Sequence, residues 1–166
     1  LKEEKNIKKI KQNLKNIPKE DSCYLLVWAA EDYNNDLIKR LRKAGVTMSI
    51  ERGDELLSKA FDEEDLKLLK SSIAAGVKIN IEEKGYGEIS DYLHNVRKLR
   101  DLIFAEGKDK KDEITIDEAE KFILQNPEIL MISELKKVTS KFLTRLARAG
   151  KVEVAKRFVE QGADVN

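Results

Sequence analysis

Cysteine occurs once, at Cys23, so no disulfide can close within the chain, and a reducing compartment is the expected setting. Histidine also occurs once. With no second imidazole or thiol near it, His94 reads as a structural histidine and not as a metal ligand. Proline is confined to Pro18 and Pro127, which leaves long stretches free to be helical. No apolar run approaches the ~18 residues that a membrane span needs, and no secretory signal is visible at the start. Neither sign of charge dominates: 32 Lys and Arg face 31 Asp and Glu, a formal net charge of +1. The basic excess usual for a nucleic-acid binder is missing. There is no G-x-S-x-G, no Walker-type Gly-Lys-Ser/Thr and no G-x-G-x-x-G. The expectation is therefore no enzyme, no cofactor and no metal.

What the chain does have is self-similarity. Asp36–Ser49 reads DLIKRLRKAGVTMS, Lys67–Asn80 reads KLLKSSIAAGVKIN, and Glu153–Asn166 reads EVAKRFVEQGADVN. Each has an apolar pair, a Lys, a mixed run and then a Gly. Gly45, Gly76 and Gly107 recur every 31 residues. A fixed period in the low thirties is the mark of a stacked array of small helical units. In the last unit, Leu146–Asn166, two short helices would meet at Gly150 and stop at Gly162, with Val152, Val154, Ala155, Phe158 and Val159 as an apolar stripe. Helices this short are marginal alone in water, so they need neighbours.

The unit resembles an ankyrin repeat. The ending GADVN matches that family's usual close, and Gly53–Phe61, GDELLSKAF, is similar to its opening, with Gly53, Leu57, Ala60 and Phe61 in matching places. Ala29 and Ala30 take the paired-alanine position in the first repeat, and Leu146 and Ala147 take it in the last. The family's Thr-Pro and His are missing throughout, and only the final repeat keeps GADVN intact. The resemblance covers roughly residues 24–166. It implies an all-α solenoid of helix-turn-helix repeats at about 21–49, 50–80, 81–111, a degenerate 112–138, and 139–166, behind an N-terminal capping helix over 1–20.

In chain order, Ile7, Ile10, Leu14 and Ile17 give the N-terminal helix one apolar side, with lysines opposite and Pro18 at its end. Such a helix fits a cap better than a basic membrane-surface helix, since Glu3, Glu4 and Glu20 dilute its charge and no aromatic anchor is present. Asp21 or Ser22 is the candidate N-cap of the next helix, and Asp36 that of the one after. Leu25, Leu26, Ala29, Ala30, Leu37, Ile38 and Leu41 should face inward. The second repeat should hold helices at Glu55–Phe61 and Asp65–Ala74, with links Val46–Gly53 and Val77–Gly87. The third repeat keeps a helical period through Ile89, Tyr92, Leu93, Val96, Leu99, Leu102 and Ile103, and two helices are expected within it. Asp109–Glu120 invites comparison with a calcium loop, but Lys111 and Glu113 stand at its third and fifth positions and Ile114 at its Gly position, so it reads as a solvated loop before a helix capped by Thr115 or Asp117. Asp117–Gln125 and Pro127–Val138 read as two more helices, with Pro127 at the first position of the second.

Stacked repeats close no deep pocket; they leave a long exposed surface, which suits recognition of another protein. The ankyrin-like register implies concave-face contacts at Trp28, Glu31, Asp32, Lys59, Asp62, Glu63, Arg145 and Arg148. It implies fingertip contacts at Met48, Glu51, Arg52, Lys84 and Tyr86. Trp28 leads this set, because a tryptophan there would be partly exposed and Trp is over-represented among binding hot spots; its competing reading is packing on the N-terminal helix. The expected role is a protein–protein interaction module, monomeric, within a larger intracellular protein. Abundant Lys, Ile, Asn and Glu fit an AT-rich genome, so delivery into a host cell by a host-associated microbe is part of the expectation. The competing role is a structural spacer that holds another domain and binds nothing.

Overall fold

A computed structural model describes residues 8–10, 12–104, 114–136, 138 and 140–160. These residues are helices and connecting turns, with no strand among them. The chain divides into two compact units, Leu1–Ile79 and Asn80–Asn166. Gly107, Gly162 and the Asp109–Glu113 half of the calcium-loop comparison lie outside the described residues. So do residues 1–7 and 11 of the proposed capping helix, of which 8–10 and 12–14 are helical.

The first unit is two helix pairs: α1 (Lys19–Glu31) with α2 (Asn35–Lys43), and α3 (Ile50–Asp62) with α4 (Leu66–Ala75). α4 packs against all three of the others. It is correspondingly the most enclosed, burying Leu68, Leu69, Ser71, Ser72, Ile73 and Ala75. The hydroxyl of Ser72 is satisfied inside its own helix, donating to the Leu68 carbonyl at 2.8 Å. The inward residues of α1 are Cys23, Leu26, Ala29 and Ala30, with Leu25 half-buried; those of α2 are Ile38 and Leu41. The alanines let helices approach closely.

The two pairs share one local plan, residue for residue. Tyr33 and Glu64, 31 positions apart, both take φ 53°, and Gly45 and Gly76 both take φ 96°. The Asn34 amide donates to the Ala29 carbonyl and the Asp65 amide to the Ala60 carbonyl, both at 2.8 Å. The side chains of Asn34 and Asp65 then cap the second helices, accepting from the amides of Leu37 (3.0 Å) and Leu68 (2.9 Å). One half-buried cation links the pairs: Arg42 of α2 donates to the Ala74 carbonyl of α4 at 3.0 Å.

Several expected boundaries are corrected here. α1 begins at Lys19, so Asp21 and Ser22 lie within it; the Pro18 carbonyl already accepts from the Ser22 amide, and no side chain caps the helix. Asn34, not Asp36, caps α2; Asp36 sits in the first turn and pairs with Arg40 at 2.5 Å. α3 starts at Ile50, earlier than Glu55, because Ser49 accepts from the Arg52 amide. The link expected over Val46–Gly53 therefore shrinks to 46–49, and Gly53 becomes a buried helical residue.

The second unit is less regular. α5 (Gly87–Phe104) runs unbroken where two helices were expected. After Gly87 no Gly or Pro interrupts its apolar period, and all seven residues of that period are buried. α6 (Ile116–Gln125) opens on a reciprocal cap in which Thr115 and Glu118 each bond the other's backbone amide. The helix expected over Pro127–Val138 is instead a 3₁₀ segment, Pro127–Met131, and a short α7 (Ser133–Lys136). Ile129 and Leu130 of the 3₁₀ segment are buried, as are Ile132, Leu135 and Val138 beyond it. α8 (Ser140–Arg148) and α9 (Val152–Glu160) form a closing pair, with Phe142 and Phe158 edge to face at 5.9 Å. Their turn repeats the plan of the first unit: Gly150 takes φ 74° and the Lys151 amide donates to the Leu146 carbonyl at 2.8 Å.

Candidate functional site

The exposed side of the first unit carries an aromatic and charged strip along α1 and α3. On α1, Tyr24, Trp28 and Glu31 are spaced by four and three and so share one face. Trp28 is 63% exposed. Across from Tyr24 lies Arg52 of α3, its guanidinium 4.8 Å from the ring centroid. Arg52 also donates to the Tyr24 hydroxyl and to Glu55 at 2.6 Å. Those contacts raise the already high pKa of Arg52, chiefly through the bond to Glu55. Lys59, two turns along α3, pairs with Glu31 at 2.7 Å. That bond raises the Lys59 pKa. Two cross-helix links thus hold the strip flat on either side of Trp28.

The strip ends at the turns. Asp32 and Glu63 are the C-cap residues of α1 and α3, and Asp62 is the last residue of α3; all three are exposed. Tyr33 and Asp65 join the two turns through a hydrogen bond of 2.5 Å. Burial raises the Asp65 carboxyl, but bonds from Tyr33 and from the Leu68 and Lys67 amides outweigh it and hold the group below its ordinary value. The same contact, with the Asp65 charge beside it, raises the Tyr33 hydroxyl.

Trp28, Glu31 and Lys59 are therefore brought together, with Asp32, Asp62 and Glu63 at the end of the same helices. Met48 does not stand at a fingertip. It is half-buried, with its Sδ 3.7 Å from the buried Cys23 Sγ, because the early start of α3 leaves no room for a projecting loop. Glu51 and Arg52, also expected at a fingertip, lie in the first turn of α3 for the same reason. Lys84 and Tyr86 are exposed on the connection before α5, Tyr86 at 73%. Arg145 and Arg148 are exposed on α8 in the second unit. His94 is exposed on α5.

Sequence reasoning missed Tyr24, Glu55 and the Tyr33–Asp65 contact. Tyr24 was findable: it lies one turn before Trp28, and an aromatic pair at that spacing shares a helix face. Among the described residues, no group of three or more His, Cys, Asp or Glu could hold a metal ion, and no helix is long and apolar enough to cross a membrane.

A scan against models of known protein families finds no match, and searches of curated proteins and of solved structures find none either.

Proposed function

We propose that the chain is a protein–protein interaction module built on ankyrin-like helix pairs, and that the α1–α3 strip centred on Trp28 is its docking face. The observation that carries this reading is the exposed indole of Trp28. Large aromatics rest in water at a cost, and one flanked by Tyr24 and two cross-helix ion contacts is a ready anchor for a partner. Two features support the ankyrin-like part: the 31-residue recurrence of Tyr33 with Glu64 and of Gly45 with Gly76, and the reuse of the same turn at Gly150. The competing reading, a spacer without a partner, gives the indole no role.

The test is capture by the full chain followed by titration. Any protein retained by the wild type should bind at least about 30-fold more weakly to the Trp28→Ala variant, the loss expected of a hot spot. Circular dichroism should show that variant fully helical. A retained protein that binds the wild type and the variant equally would reject the strip as the docking face.

A further inference from the structure

In the second unit Arg100 pairs with Glu82 and with Asp101 at 2.9 Å, and Arg157 with Glu153 at 3.2 Å, while Arg97 donates to the Ile81 carbonyl at 2.8 Å. Arg145 and Arg148 have no carboxylate partner among the described residues. Both lie on α8, whose sequence SKFLTRLAR contains no acid. The helix buries Phe142 and Leu146 and turns its basic side outward. There Ser140, Lys141, Thr144, Arg145 and Arg148 line a shallow groove of about 380 Å³. Arg145 is steadied by a long 3.4 Å bond to the Leu102 carbonyl near the end of α5, and the Thr144 hydroxyl donates to the Ser140 carbonyl at 2.9 Å.

From this arrangement we infer that the groove binds a phosphoryl group displayed on a peptide segment. A phosphomonoester brings close to two negative charges and three strong acceptor oxygens. The two guanidinium forks of Arg145 and Arg148 on one face match that demand, whereas a single carboxylate is satisfied by one fork. A long polyanion is a poor fit. The chain as a whole carries a formal charge of only +1, and the basic face is confined to a nine-residue helix. This inference stands apart from the Trp28 strip, which belongs to the other unit.

The test is a titration of the full chain at constant ionic strength, followed through the side-chain Nε–Hε signals of Arg145 and Arg148 by NMR. The probes are a short peptide with a central phosphoserine, its unphosphorylated form, inorganic phosphate, and a single-stranded oligonucleotide. The phosphopeptide should shift both signals saturably and the unphosphorylated peptide should not. Arg148→Gln, which leaves the Arg145–Leu102 bond in place, should weaken the phosphopeptide by at least about tenfold, the equivalent of one lost charge-assisted hydrogen bond. Arg145→Gln with Arg148→Gln should abolish binding. Unchanged affinity in folded Arg148→Gln, or no saturable shift, would overturn the site. Inorganic phosphate binding as tightly as the phosphopeptide would overturn the peptide ligand, as would tighter binding of the oligonucleotide.

Discussion

Between Lys19 and Gly76 the chain makes one turn twice, with the same backbone angles and cap position; among the described residues between Gly87 and Glu160 it makes that turn once, at Gly150. The first unit buries its core by repetition: two helix pairs between Lys19 and Ala75, with α4 packed against the other three helices of those pairs. The second buries its core with unlike pieces, a helix of 18 residues, a 3₁₀ segment and a short pair. Repetition fixes a turn through its hydrogen bonds even when the residue is ill-suited, as Tyr33 and Glu64 at positive φ demonstrate. Where the plan occurs alone, the residue at that angle is glycine.

The largest effects should come from the two cores. Phe142→Ala removes the edge-to-face contact with Phe158 and should cost about 3–5 kcal/mol. Leu69→Ala opens the centre of the first unit and should cost about 2–5 kcal/mol. Trp28, the only tryptophan, reports on the first unit alone. In urea titrations Leu69→Ala should lower the Trp28 fluorescence midpoint, whereas Phe142→Ala should lower chiefly the far-ultraviolet dichroism of the second unit. Equal shifts of both signals in both variants would erase the distinction between the units.

Next in size is the turn itself. A Cβ added at Gly150 meets nothing within 4 Å, so Gly150→Ala should cost only the left-handed backbone penalty, about 1–2 kcal/mol, read as a lower melting temperature. The caps come after. Asn34→Ala and Asp65→Ala should each cost about 1 kcal/mol. They differ in acid. The Asp65 carboxyl is held below its ordinary value, so its contribution is complete above the usual carboxylate pKa and is lost as pH falls through the depressed one. Asn34 does not titrate. Asp65→Asn should therefore flatten part of the acid limb of a stability–pH curve, and Asn34→Asp should steepen it. The smallest effect has the opposite sign: Glu64→Gly relieves the positive φ and should stabilise by less than about 1 kcal/mol, since glycine also loosens the unfolded chain.

Much of the helical core was legible. The seven inward residues of α5, and Ile38, Leu41, Ala60 and Ile73, follow from period alone. Turn geometry was harder. Asn34 and Asp36 stand in one NND run, and only the 31-residue distance from Asn34 to Asp65 distinguishes them. The start of α3 was missed because Gly53 reads as a turn; it is glycine because a Cβ there would come 3.2 Å from Val77. The 3₁₀ segment was missed because it is only five residues long, too short for a period of three to stand apart from one of 3.6. On the candidate strip, Trp28 and its partial exposure were both expected from the repeat register, and the indole is 63% exposed. The Glu31–Lys59 pair needs two helices placed side by side, which no local pattern encodes.

Arg42 has a consequence for anyone who would rearrange this chain. It belongs to the first pair but satisfies a carbonyl at the end of α4, in the second, and its guanidinium carbon would lie 3.2 Å from a Cβ at position 76. Gly76 thus keeps a door open for a visitor from the preceding module. The corresponding position one module on is Ile73, so that module has no such latch. Duplicating, deleting or shuffling these modules would have to move the arginine and its glycine together, or the seam would have to be rewritten in apolar contacts.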